Sequence, residues 1–464
     1  MRSRYIGDKA FYKRVITIVI PIIIQNGITN FVSLLDNIMV GQVGTLPMSG
    51  VSIVNQLLFV FNLCIFGATA GAGIFTAQFK GSGDTDGIRH TFRFKLLICI
   101  ALAAVGCAVF AAAGTPLIRL FLTGDGSAED AEAILHYGEA YLRMMLPGLI
   151  PFALTNAYAG TLRETGETLV PMLGGVAATL VNLALNYVFI FGHFGAPEMG
   201  VEGAALATVI SRFAEFAIVA GWTHRHKARN PFIVGAYRSM HIPAGLLRSI
   251  AIKGMPLLAN ELLWSTGMTF LNQCYSTCGL DVVPALNISS TLFNLTSVVF
   301  MSMGVADGIL MGQMLGASAP ENEVRDYCRK LVTVSVVSGL LFSGLTMALS
   351  GVFPHIYNTT DAVRGLAAKL LLIAAAFMVF DAFTNASYFI LRSGGQTYLT
   401  FLFDSGFVWA VMVPIAFTLS RFTAISIVPL YLLCQSTNIL KAALGYVFLR
   451  QGKWIRNLAI EEAK

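Results

Sequence analysis

Charged residues are scarce in this sequence: Asp, Glu, Lys and Arg make up 12% of its 464 residues, while hydrophobic residues make up 56%. An ordinary soluble domain carries about 25% charged residues. A chain this poor in charge cannot cover itself for water, and its mean hydropathy of +0.70 points to a bilayer as its solvent. Alternation is missing too. Strands of an outer-membrane barrel switch between polar and apolar residues at every second position, and segments 96–113 and 331–349 do not, which excludes the barrel. The seven cysteines (Cys64, Cys99, Cys107, Cys274, Cys278, Cys328 and Cys434) are an odd number scattered through apolar segments, so no disulfide framework is expected. Cys274 and Cys278 stand four apart without a second pair or a nearby histidine, and no metal is assigned to them. No Walker motif, Gly-rich strand-to-helix turn, zinc spacing or nucleophile elbow is present. An ATP-driven pump or a hydrolase therefore has no support, and the chain reads as a non-enzyme without a cofactor. The net charge of +6 would suit nucleic acid, but the positions of the basic residues argue against that.

What is present is a series of apolar stretches, each near the roughly 20 residues that a spanning helix needs. Hydropathy with Gly, Pro and charge punctuation predicts spans at 15–41, 51–79, 92–114, 134–161, 169–194, 201–223, 247–279, 284–316, 328–352, 365–392, 397–419 and 424–449. The fold class is thus all-α integral membrane with twelve transmembrane helices. Basic residues gather before the first span (Arg2, Arg4, Lys9, Lys13, Arg14), around the second connection (Lys80, Arg89, Arg93, Lys95) and in the middle loop (Arg225, Lys227, Arg229, Arg238, Arg248, Lys253). Connections 42–50, 192–200 and 279–283 hold no Lys or Arg, and 114–133 holds only Arg119. The positive-inside rule then puts both termini in the cytoplasm of a multi-pass inner-membrane protein. The first segment lacks a small-residue cleavage site and reads as a retained span.

The polar stretch 224–246 divides the chain into a lobe at 1–223, a cytoplasmic linker, and a lobe at 247–464, each lobe with six spans. A shift of 235 residues aligns Pro21 with Pro256, Asn37 with Asn272, Gly44 with Gly279, Gly73 with Gly308, Gln78 with Gln313 and Gly81 with Gly316. A shift of 229 aligns Thr155-Asn156-Ala157 with Thr384-Asn385-Ala386, then Leu162-Arg163, Gly166 and Thr168 with Leu391-Arg392, Gly395 and Thr397. Six spans per half is an even number, so the repeat is parallel, an arrangement found in transporters that hold substrate between their halves near the midplane.

An acid inside a span costs about 2.5–3.5 kcal/mol on insertion scales, so such residues face a cavity, find partners or carry function. Asp36 lies in the outer half of span 1, and Asn182 and Asn186, one helical turn apart on span 5, reach a similar depth. An acid beside two carboxamides suits either a proton or a small hard cation. In the second half, Glu261 follows Pro256 in span 7 and Asp381 stands four residues before Asn385 in span 10. Asp307 and Asp404 are read as structural. Pro21 and Pro256 occupy equivalent places, where a missing donor and a ring clash bend a helix.

The stretch from Pro21 through Asp36-Asn37-Ile38-Met39-Val40-Gly41-Gln42-Val43-Gly44 to Gln56, and the paired turns Leu162-Arg163-Glu164-Thr165-Gly166-Glu167-Thr168 and Leu391-Arg392-Ser393-Gly394-Gly395-Gln396-Thr397, resemble the multidrug and toxic compound extrusion (MATE) family, whose bacterial branches are NorM-like and DinF-like. The resemblance covers essentially the whole chain. It implies two six-helix lobes, an outward-opening cleft, and export of organic cations and drugs against inward proton or sodium flow. Asp36 matches the family's N-lobe coupling carboxylate and Asn182 its polar partner, while some members have an aspartate where Asn186 stands. Asp381 matches the C-lobe cation-site aspartate of NorM-like members. Glu261 falls one turn closer to the proline than that site's glutamate, and Phe377 stands where a tyrosine is common. The cleft itself is expected to be lined by Gln56, Asn62, Asn156, Asn287, Asn294 and Asn385. The partners implied are small amphipathic or cationic molecules and the lipid bilayer, with no nucleic acid and a monomeric state. A flippase of lipid-linked oligosaccharides from the same superfamily is the alternative. It would need bases inside the cleft, where only Arg143, Arg212 and Lys441 lie away from the cytoplasmic ends.

Overall fold

A bilayer offers backbone N–H and C=O groups no water, so apolar stretches satisfy them internally as helices. The computed structural model describes residues 5–122 and 128–461. Arg2 and Arg4 of the basic N-terminal stretch, and the side chain of Asn37 in the repeat, lie outside the described residues. Within them the regular elements are helical: α1 (Lys9–Val43), α2 (Thr45–Ser82), α3 (Thr85–Arg119), α4 (Ala128–Met145), α5 (Leu149–Glu164), α6 (Leu169–Phe191), α7 (Gly200–Arg225), α8 (Ala244–Ser276), α9 (Val282–Gly316), α10 (Glu321–Ser350), α11 (Asp361–Ser393), α12 (Thr397–Phe401), α13 (Val413–Phe422), α14 (Ile427–Gln451) and α15 (Leu458–Glu461). Among the described residues, ten stretches are long and apolar enough to cross a membrane. The α4–α5 pair and α8, richer in polar side chains, complete the twelve spans.

Two spans differ from simple helices. The fourth is interrupted by a 3-10 turn at Leu146–Gly148, where Pro147 lacks a backbone donor and its ring collides with the preceding turn. The eleventh passes from α12 through π-helical turns at Leu402–Gly406 and Val408–Met412 into α13. Such widened turns re-aim side chains and recur at functional sites.

Contacts divide the chain into two units. One comprises Ile24–Thr76 and Thr85–Leu247, in which α6 runs along α7 and α3 packs on α5. The other comprises Met1–Ile23, Ala77–Asp84 and Arg248–Lys464, built around α11, which packs on α9, α10 and α14. In this second unit Phe11, Val15, Ile18 and Ile22 of α1 are buried with Met303, Leu310, Ile390 and Trp454. A separate cluster joins Leu271, Val282, Leu370, Val408 and Leu430. The seven cysteines are free thiols, Cys274 and Cys278 included.

The expected loop 224–246 is largely a docked strap. Phe232 and Ala236 are buried, and the Phe232 ring meets Phe92 edge-on at 5.3 Å. Beyond a single 3-10 turn at Pro231–Ile233, the strap needs other donors for its carbonyls. Arg93 of α3 supplies them: Nε donates to Ala236 O at 2.8 Å, Nη2 to Gly235 O at 3.0 Å and Nη1 to His241 O at 3.1 Å. Arg89 Nε adds a bond to Phe232 O at 3.3 Å. Arg93→Ala should destabilise the protein by about 3 kcal/mol, the worth of one or two hydrogen bonds from a charged donor. It should also open the strap to trypsin at Arg238. Thermal melts and limited proteolysis check this, and an unchanged digestion pattern would contradict it.

Candidate functional site

Helices α1, α6 and α7 meet around Asp36. Gly175 of α6 lets α1 approach, since a Cβ there would lie 2.8 Å from Gln25 Nε2. Three turns further along α1, the partly buried Asp36 carboxylate accepts a hydrogen bond from Asn186 Nδ2 at 2.7 Å. Asn182 and Asn186 are both buried on the same face of α6, as their four-residue spacing predicts. The Asn182 amide satisfies its neighbours with Nδ2 donating to both Asp36 oxygens at 3.0 Å and Oδ1 accepting from Thr208 Oγ1 at 3.1 Å. A carboxamide can donate to an ionised acid or accept from a protonated one. Among the described residues Asn186 Oδ1 is buried without a hydrogen-bond partner, which leaves one acceptor beside the carboxylate. Thr208 of α7 was not legible in advance, because only the packing of α6 on α7 brings its hydroxyl to Asn182.

The acids of the second half each have their own surroundings. Asp381 accepts from Asn438 Nδ2 at 2.8 Å. The charged groups beside Glu261 include Arg392 and Asp404. Asp404, on the π-helical stretch, bonds Lys441 Nζ at 2.6 Å and Asn260 Nδ2 at 3.1 Å. Asn260 Oδ1 in turn accepts from Ser405 N at 3.2 Å and from Ser405 Oγ at 2.7 Å. Asp307 is fully buried and accepts from Ser335 Oγ at 2.7 Å. Helices α1 and α8 run through Pro21 and Pro256 respectively.

The amides expected to line a cleft are placed variously. Gln56, Asn287 and Asn294 lie on open surface, while Asn62, Asn156 and Asn385 are partly buried. Asn156 Nδ2 bonds Phe152 O at 2.9 Å, and Asn385 Nδ2 bonds Phe300 O at 3.0 Å. Among the described residues Asn62 Oδ1 is buried without a partner.

One buried ion pair reverses a sequence expectation. Lys95, counted above among the residues of a basic connection, is completely buried in α3 and paired with Glu164 at the end of α5. Gly73 makes room for that carboxylate, since a Cβ there would meet Glu164 Oε1 at 2.3 Å.

The MatE family model matches the chain twice, over residues 21–188 and 256–418. The chain belongs to the MatE family. The two matches begin 235 residues apart, the spacing of the repeat read from Pro21 and Pro256. Over 457 residues the chain is 23% identical to "Probable multidrug resistance protein NorM" of Thermotoga maritima, covering 95% of this chain and 93% of that protein. It is 25% identical to "Multidrug resistance protein MdtK" of Edwardsiella ictaluri, covering 88% and 87%. Among solved structures it is similar to an outward-facing multidrug resistance MATE family transporter, with TM-score 0.85 at 20% identity and 96% of each chain covered. It is also similar to the Vibrio cholerae MATE transporter VcmN, with TM-score 0.84 at 18% identity, covering 97% of this chain and 99% of that one. The MatE fold of this multi-pass membrane protein, a duplicated set of six spans, is thereby shown.

Two predictions follow the geometry. Asn186→Asp sets a second acid against Asp36, and two close carboxylates titrate as a coupled pair with one pKa raised. The pH profile of transport should then shift upward, and an unchanged profile would show that the two positions do not interact. Lys441→Met leaves Asp404 without its counter-charge and should cost about 3–5 kcal/mol. The double variant Lys441→Met with Asp404→Leu should recover part of that loss in thermal melts.

Proposed function

We propose that this MatE-family chain is an antiporter that exports small amphipathic or cationic compounds across the inner membrane by alternating access, driven by inward flow of protons or sodium ions. The observation that carries the reading is the Asp36 carboxylate held by Asn186 and reachable by Asn182 in the span where a lone acid is costly. Asp36 takes up the coupling ion, Asn182 and Asn186 complete its surroundings, and Pro21 lets α1 adjust between loaded and empty states. Glu261 and Asp381 assist in the second lobe, and the amides Gln56, Asn62, Asn156, Asn287, Asn294 and Asn385 meet substrate within their own lobes. The working division is a six-span lobe at 1–223, a linker at 224–246 and a lobe at 247–464. The protein acts as a monomer with both termini cytoplasmic and needs no cofactor beyond the coupling ion.

The arrangement of ends supports this topology. Within one unit the start of α1, the ends of α2, α9 and α11 and the segment after α14 all meet, through Arg14 with Gln313 at 2.8 Å and Gln78 with Ser393 O at 2.8 Å. That is the alternation twelve spans require. The flippase alternative needs free bases for an anionic headgroup. Lys441 is instead tied to Asp404, Arg143 lies 3.6 Å from Glu139, and Arg212 Nη1 donates to Gly148 O at 3.4 Å, which favours the exporter.

Efflux of a fluorescent cationic dye from vesicles under an imposed proton gradient, and separately under a sodium gradient, tests the proposal. Asp36→Asn should insert and fold normally yet lose gradient-driven efflux. Wild-type efflux by a well-expressed Asp36→Asn protein would overturn the assignment. Glu261→Gln and Asp381→Asn should slow efflux while keeping its dependence on the gradient. Loss of sodium stimulation in Asp381→Asn alone would move the coupling site to the second lobe.

A further inference from the structure

The segment that follows α14 is folded against the protein rather than frayed. Trp454 is 1% exposed and donates Nε1 to Leu449 O at 3.1 Å. Its carbonyl lies so near Gly394 that a Cβ there would meet it at 1.7 Å. Gln396 Nε2 donates to Lys453 O at 3.0 Å, and Arg456 pairs with Glu461 at 2.7 Å.

Held in this way, the segment presents two backbone groups to one side chain. Leu458 N donates to Gln78 Oε1 at 2.7 Å, and Gln78 Nε2 donates to Arg456 O at 3.2 Å and to Ser393 O at 2.8 Å. Gln78 is fully buried. Next to it, Asn457 Nδ2 donates to Gly316 O at 3.1 Å and to Ser318 Oγ at 2.8 Å.

Gln78 and Gly316 belong to a reciprocal helix crossing. A Cβ on Gly81 of α2 would meet Gln313 O of α9 at 2.0 Å, and a Cβ on Gly316 of α9 would meet Gln78 O of α2 at 1.9 Å. Each glycine thus faces the carbonyl of the other helix's glutamine. These are the repeat-equivalent residues, Gln78 with Gln313 and Gly81 with Gly316, and any side chain larger than hydrogen would wedge the two helices apart. The crossing is braced from α1 and from the segment that follows α14. Arg14 Nη2 bonds Gln313 Oε1 at 2.8 Å, and that segment bonds Gln78.

We propose that residues Gly452–Glu461 form a cytoplasmic latch on this crossing, which leaves Gln78 when the ends of α2 and α9 part to admit substrate. The proposal rests on the exporter reading above and adds an element that the ion-coupling site does not explain. A segment outside the spans is suited to the task, because it can depart without breaking a span. A few hydrogen bonds of modest individual worth also hold one state without locking it.

Amide hydrogen exchange of the full chain in proteoliposomes tests the latch, with ethidium as the transported probe. Peptides covering Trp454–Glu461 should exchange about tenfold faster during gradient-driven ethidium efflux than in protein with neither dye nor gradient. Gln78→Leu, which removes both bonds to the segment, should show the faster exchange at rest, and Gly81→Ala should do the same by wedging the crossing. Exchange that stays unchanged while wild-type efflux proceeds would overturn the latch alone. Absence of ethidium efflux in the wild type under every gradient would overturn the exporter reading and the latch with it.

Discussion

The structure depends on how a few charges are kept inside a hydrocarbon layer. Each must find a counter-charge, a hydrogen-bond donor or a reversible ion, because none finds bulk water. Lys95 with Glu164, and Lys441 with Asp404, are paired directly. Asp307 has a serine hydroxyl. Asp36 is held by carboxamides, as Asp381 is by Asn438, and such neutral groups can donate to an ionised acid or accept from a protonated one. A pair of fixed opposite charges stabilises one state of a protein. An acid among amides leaves two states close in energy, which is what ion coupling demands.

The duplication of the chain sharpens this contrast. The two halves share prolines, glycines and glutamines at fixed spacing, but Asp36 aligns with Leu271. The acids of the second half stand elsewhere: Asp404 pairs with Lys441, and Asp381 accepts from Asn438. One scaffold has therefore been used twice with different interiors. What the halves keep in common is steric, as at Gly81 and Gly316, where the closest helix approach tolerates no side chain.

Much of this was legible in the amino-acid order because hydropathy, positive charge in alternate connections and repeat identities are all one-dimensional signals. The twelve spans, the parallel repeat and the meeting of Asp36 with Asn182 and Asn186 follow from such signals. The features that escaped depend on which helix faces which. Glu261 and Asp381 were visible as acids within spans, but only the packing of α14 on α11 brings Asn438 to Asp381. Lys95 looked like a residue of a basic connection, and the length of α3 carries it into the interior instead. The stretch 224–246 looked like a solvated loop because it is polar, whereas its carbonyls are bound by Arg93. Gly81 and Gly316 were visible as identities, but their meaning required the crossing.

Coupling is reciprocal: if an inward ion gradient drives an outward substrate, a substrate gradient must drive the ion. The most direct measurement is therefore the internal pH and sodium content of proteoliposomes holding the purified protein, after an outward gradient of a cationic compound is imposed with no ion gradient present. The account predicts that protons or sodium ions enter as the compound leaves, in fixed proportion to it. Substrate movement that carries no opposing ion would contradict the account.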